Sequence, residues 1–258
     1  MRPQLAKQLL DLQELPTLPL VVTRIVTMTD DPRSSASDLK HLIVNDQAIA
    51  AKILKLANSA FYGLPGKITT LNRAVTLLGF NTVRSLALSI SIMEVFSGHS
   101  ECPYFNRSRF WEHSLAVASC AKLLAAKHRP DERDEAHMAG LFHDIGKVVL
   151  DQYFFEYFAT AMEIAHKTGI SSNEAEQRIL GADHAEVGAQ VATRWNFPSH
   201  LVEVIRHHHN PDGAPGNTIC QIVALASVLC QEWGFGDSGE SDSYAGIDGI
   251  RAQYCGTS

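Results

Sequence analysis

The chain has 258 residues, 45% of them hydrophobic and 19% charged, a balance that suits one large or two modest soluble globular domains. With 22 Lys and Arg against 28 Asp and Glu the formal charge is −6. That is a poor basis for nonspecific nucleic-acid binding, which relies on basic surface to displace counterions. No apolar run approaches the roughly 20 residues of a membrane span, and the opening MRPQLAKQLLDLQELP lacks the apolar core of a signal peptide. Five scattered cysteines without a CxxC pair read as reduced thiols filling a core. Together these features predict a cytoplasmic protein.

Apolar periodicity is helical almost everywhere, and strand alternation with hairpin turns is missing, which predicts an all-α fold. Ser35 followed by Asp38 resembles a capping box before the Leu39, Leu42, Ile43 stripe. Ile49, Ile53, Leu56, Ala57 and Ala60 share the face of a next helix, with Asp46 as its N-cap. NSAFYGLPGK, residues 58–67, ends it with two glycines and a proline. Residues 70–78 and 83–96 read as two further helices. A polar break, SGHSECPYFNRS at 97–108, separates the halves.

Helices resume over 109–127 and 134–153, joined by the charged loop HRPDERDE. Further helices are expected over 155–167, 172–179, 184–195, 198–208 and 218–232, with Pro198 suited to a first helical turn. The ending GFGDSGESDSYAGIDGIRAQYCGTS is rich in Gly, Ser and Asp and predicts a flexible tail. The boundaries that follow are 1–98, 99–235 and 236–258.

The second half carries the chemistry. His113, the adjacent His143 and Asp144, His184, and the adjacent His208 and His209 are of the types that hold Fe, Mn, Zn or Ni, as one ion or two. Carboxylates that bridge two metals can position a nucleophilic water for phosphoester hydrolysis. On a helix from Asp134, the residues Ala136, Gly140, His143 and Lys147 share a face, and the two small ones allow a close approach to His143. Lys147 is placed to meet a phosphate or to pair with Asp144. His184 follows Gly181–Ala182–Asp183 near a helix start, where backbone N–H groups favour anions. Any one of these histidines alone is more simply a structural hydrogen-bonding group. The other seven (His41, His99, His128, His137, His166, His200, His207) are expected at the surface.

HSLAVA (113 on), GLFHDIGK and DHAEVGAQVATRWNFP resemble the HD superfamily of metal-dependent phosphohydrolases. LPTLP (15–19), ILKLANSAFYG (53–63), AVTLLGFNTVRSLAL (74–88) and IRHHHNP (205–211) narrow the likeness to the HDOD family, the HD-related output domain of bacterial signalling proteins. The resemblance implies an N-terminal helical bundle particular to that family, packed on an HD-type helical core. It implies a bacterial regulator that acts through protein partners of a signalling pathway. The HD-GYP relatives use the ligand series His, His-Asp, His, His-His and a final Asp. His113, His143, Asp144, His184, His208 and His209 match all but the last, where Ser227 stands. The GYP motif is replaced by NPDGAPGN.

The resemblance therefore implies a retained but incomplete metal site. The alternative it leaves is a metal-dependent phosphohydrolase or phosphodiesterase for a nucleotide or cyclic dinucleotide, with Asp144 and Lys147 in catalytic roles. Asn58, Ser59, Phe61 and Tyr62 are either part of an interaction surface or a helix cap with core aromatics.

Overall fold

The computed structural model describes residues 20–30, 36–44, 47–59, 67–96, 100–239 and 246–255. Among them every regular element is helical, as the periodicity predicts. The chain divides into two compact units, one within Pro16–Ser97 and the other from Gly98 onward.

The first unit contains α1 (Leu20–Asp30), α2 (Ala36–Val44), α3 (Gln47–Ala57), α4 (Leu71–Leu78) and α5 (Phe80–Val95). Val22, Ile25 and Val26 on α1, Leu39 and Ile43 on α2, and Ile49, Ile53 and Ala57 on α3 are buried at the three- and four-residue spacing of one helical face. α5 is buried all round from Thr82 to Ile92 and packs against α1, α3 and α4. Such a helix must satisfy its polar groups internally. Ser85 Oγ donates to Asn81 O (2.9 Å), Ser91 Oγ to Ala87 O (2.8 Å), and Arg84 to Met28 O (3.0 Å). Thr70 caps α4, its side chain accepting from Arg73 N. Gly79, at φ 87°, makes the turn into α5 that a side chain would strain.

Asn58 clamps the end of α3 to the returning chain: its amide donates to Leu54 O and Ile68 O and accepts from Ile68 N, each at 2.7 Å. This places it as a structural cap. LPTLP, Ser35, Asp46, Phe61 and Tyr62 lie outside the described residues.

The second unit contains α6 (Arg107–His128), α7 (Arg133–Phe142), α8 (Ile145–Tyr153), α9 (Phe155–Thr168), α10 (Ser172–Leu180), α11 (His184–Arg194), α12 (Ser199–His207), α13 (Thr218–Glu232) and α14 (Ile247–Cys255). α6, α7 and α13 pack together, and α8 lies against α11. Two glycines set these contacts. A Cβ at Gly140 would sit 2.9 Å from Ala118 Cα, and one at Gly146 only 1.9 Å from His184 O. Cys102, Cys220 and Cys230 are buried free thiols, while Cys255 is exposed.

Three expectations are corrected. The single helix over 134–153 is broken at His143–Asp144, where Asp144 leaves the helical region at φ −101°, ψ 11°. The flexible tail over 236–258 instead contains an ordered helix. Tyr254 is buried, its O facing His128 Nε2 (2.8 Å) and its hydroxyl donating to Gln221 (3.1 Å), and Arg251 pairs with Glu232 (2.6 Å). A few anchors, Ile247 and Tyr254 among them, override the Gly/Ser/Asp composition. His137, expected at the surface, is 1% exposed, because α7 is covered by α6, α12 and α13. Burial pushes its pKa down to about 3.

Candidate metal centre

The break in the α7–α8 helix shapes the site. Neighbours in a continuous helix diverge by about 100°. The turn at Asp144 lets His143 and Asp144 face the same centre. His113 reaches it from α6, His184 is the first residue of α11, and His208 and His209 form the turn after α12. All seven predicted side chains converge there, Lys147 included. All but the part-buried His209 are fully buried.

Asp144 is the hub. Its Oδ1 lies 3.2 Å from His184 Nε2 and 3.1 Å from His208 Nε2. Its Oδ2 lies 3.1 Å from Lys147 Nζ and 3.5 Å from His143 Nε2. His209 Nε2 lies 2.7 Å from His184 Nε2. Burial opposes the Asp144 charge. His143 and Lys147, with the close ring nitrogens of His184 and His208, outweigh it and hold the carboxyl well below its ordinary range.

The outer nitrogens fix the tautomers. His143 Nδ1 faces Gly140 O (2.8 Å), His208 Nδ1 faces Ile205 O (2.8 Å) and His113 Nδ1 faces Phe235 O (3.2 Å). A carbonyl can only accept, so each Nδ1 carries a proton, and in its neutral form each ring turns the Nε2 lone pair inward. His184 Nδ1 faces Glu176 Oε2 at 2.6 Å. Burial lowers the His184 pKa, but Glu176, with Asp144, more than offsets this and raises it well above the ordinary value.

Asp144 Oδ1 and His208 Nε2, both buried, make no hydrogen bond although they face each other. Lone pairs meeting in a dry interior need a proton or a cation between them. The donor atoms form two sets, Asp144, His184, His208 and His209 on one side and His113, His143 and Asp144 on the other, each close enough to hold a metal ion. The mixed imidazole and carboxylate chemistry fits a divalent transition metal. Ser227 Oγ lies 3.4 Å from His113 Nε2, so a neutral hydroxyl stands beside the second set.

Two parts of the site were not predicted. One is Glu176, buried on α10. The other is the strap Gly234–Gly239, which closes the site. Its Phe235 carbonyl holds His113, and its Ser238 carbonyl accepts from Lys147 Nζ at 3.1 Å. Asp237 N donates to Arg109 O (3.0 Å) and Arg109 to Gly236 O (3.2 Å). Gly236 has φ 70°, and a Cβ there would lie 2.2 Å from His113 N. Lys147 thus pairs with Asp144 and also ties down the strap. The anion expected at the His184 helix start is the protein's own: Glu176 Oε2 accepts from His184 N at 2.7 Å.

The HDOD domain model matches residues 15–211. The chain belongs to the HDOD family. An HDOD domain protein of unknown function from Geobacter sulfurreducens has the same fold, with a TM-score of 0.82 and 29% identity over 100% of this chain and 89% of that one. A protein from Shewanella amazonensis, proposed to be a phosphohydrolase, superposes with a TM-score of 0.75 at 26% identity over 96% of this chain and 87% of its own. A proposed signal-transduction protein of Marinobacter aquaeolei gives 0.74 at 25% identity, covering 94% of this chain and 54% of that one.

Among curated relatives, an uncharacterized Treponema pallidum protein is 28% identical over 84% of this chain and 42% of its own length. Ribonuclease Y of Thermus thermophilus is 32% identical over 46% of this chain and 16% of the enzyme. This HDOD chain thus spans less than half the length of either curated relative. Among its described residues no single helix is long and apolar enough to cross a membrane.

Proposed function

We propose that this chain is a bacterial cytoplasmic signal-transduction output domain that acts through protein contacts and retains an HD-type metal site without turnover. The observation that carries this reading is the sealing of the site. Asp144 and Lys147 are 0% exposed, and Lys147 is engaged by the Ser238 carbonyl where a substrate phosphate would need it. The likeness to a proposed signal-transduction protein agrees with it.

In this reading Asp144, His184, His208 and His209 would hold an ion. His113 and His143, with Asp144, would hold a second one less well, because Ser227 brings a hydroxyl in place of a carboxylate. A divalent ion supplies Lewis acidity and a polarised water. This chain's contribution is to hold the ligands in one protonation pattern and keep bulk water out.

A second reading is favoured by the likeness to ribonuclease Y: a metal-dependent phosphodiesterase that opens its strap to admit a nucleotide or cyclic dinucleotide. The two readings separate on a panel of bis(p-nitrophenyl) phosphate, cyclic dinucleotides and short RNA, with Mn2+ supplied. The expected result is the same background hydrolysis for wild type and Asp144→Ala. Turnover that depends on Asp144 would overturn the regulatory reading in favour of the enzyme.

A further inference from the structure

Glu176 belongs to none of the motifs that mark the site, yet its carboxylate stands directly behind one of the five histidines, on the side away from Asp144. The local chain explains how it arrives there. α10 ends at Leu180, Gly181 caps it in the left-handed region at φ 83°, and Asp183 starts α11, its side chain accepting from Glu186 N at 2.9 Å. This tight turn folds α11 back so that its first residue, His184, meets Glu176 eight positions earlier.

One oxygen makes both contacts. Glu176 Oε2 accepts from His184 N (2.7 Å) and lies 2.6 Å from His184 Nδ1. Glu176 Oε1 is buried with no hydrogen-bond partner. The other buried rings of the site turn Nδ1 to a neutral main-chain carbonyl. His184 alone among them has a carboxylate behind its Nδ1, and its Nε2 lies 3.2 Å from Asp144 Oδ1 and 2.7 Å from His209 Nε2.

We infer that Glu176 is a positioning residue of the metal site, one that holds His184 with Nδ1 as donor and Nε2 aimed at the ion and makes that nitrogen the strongest imidazole donor of the set. The geometry is that of a carboxylate–histidine–metal triad, in which loss of the outer carboxylate typically weakens metal binding about 10–100-fold. The inference rests on the metal reading given above. A purely structural role would be different: Glu176 would only cap the first turn of α11 through the His184 backbone N–H. That role would move the melting temperature and leave metal affinity alone.

The test uses the full chain, with Zn2+ as the probe. Affinity is measured by competition with a chromophoric chelator, and the His184 Nδ1–H proton is observed in 15N-resolved spectra of the Zn2+-loaded chain. Glu176→Ala is expected to bind Zn2+ about 10–100-fold more weakly and to lose the sharp Nδ1–H signal to solvent exchange. Glu176→Gln can keep both hydrogen bonds through its single oxygen but lacks the charge, so it should keep the signal and lose affinity by about tenfold. Wild-type affinity in both variants, with the signal intact, overturns the inference and leaves the metal reading standing. If Glu176→Ala does not fold, unchanged affinity in Glu176→Gln is enough to overturn it. A wild-type chain that takes up none of Zn2+, Mn2+, Ni2+ or Fe2+ overturns the metal reading itself, and this inference with it.

Discussion

The two units bury polar side chains in different ways. In the first, each buried polar group named above turns to main chain: Ser85 and Ser91 to carbonyls of their own helix, Arg84 to Met28 O. In the second, buried polar groups from several segments turn toward one another around Asp144, and the main chain serves only their outer edges. Burial alone does not mark a site, since both units are rich in it. What marks one is the direction of the lone pairs. A side chain aimed at a nearby carbonyl is satisfied where it stands, whereas several aimed at a common centre leave something to be bound.

Gly146→Ala should break the second unit most severely. The new Cβ would lie 1.9 Å from His184 O and 2.8 Å from Gly188 N, so α8 and α11 must separate. A loss of about 3 kcal/mol is expected, read as a melting temperature lower by roughly 6–12 °C. A variant as stable as wild type would mean that the crossing is looser than described.

His137 sharpens the contrast, because it is buried in the second unit but lies outside the site. Both ring nitrogens lack a hydrogen bond, and burial holds its pKa near 3. Its folded value is depressed below the unfolded 6.5, so its burial adds no pH-dependent cost above pH 6.5 and progressively costs stability as pH falls from there to about 3. The cost is about 1.4 kcal/mol per pH unit within that window. His137→Leu should remove this acid sensitivity and gain about 1 kcal/mol at neutral pH. An acid-unfolding profile identical to wild type would contradict the assignment.

Ser91→Ala tests the first unit's side of the comparison. Its hydroxyl only returns to Ala87 O, a bond that competes with the helix rather than completing a network. Chemical denaturation should show a change of less than about 1 kcal/mol; a loss several times larger would show that the first unit also depends on its buried hydroxyls. Lys52→Ala should have the smallest effect. The Lys52–Glu94 pair is about half exposed, at 51% and 38%, and its removal should change stability by less than about 0.5 kcal/mol.

Much of this was legible in the sequence. Helix spacing placed the core stripes of α2 and α3, and the His, His-Asp, His, His-His series named every histidine that converges on Asp144. Ser227 was expected beside them and stands against His113. Three features were not legible, each because tertiary contacts decide it. The break at His143–Asp144 lies in an apolar run with no proline, so the sequence there reads as one continuous helix. Glu176 is an ordinary glutamate of a polar helix until the Gly181 turn brings it to His184. A Glu eight residues before a site histidine, with Leu-Gly-Ala-Asp between, was the available signal. The strap has the composition of a disordered tail, and only the fit of Gly236 against His113 and the reach of Lys147 to Ser238 give it a place.

A metal centre around Asp144 is tested most directly by the metal content of the full chain purified without chelator and without oxygen, set beside Asp144→Ala. Near-stoichiometric transition metal is expected in the wild type, and its loss in the variant. Metal absent from both would contradict the metal centre and would make the cluster around Asp144 a hydrogen-bonded core like that of the first unit.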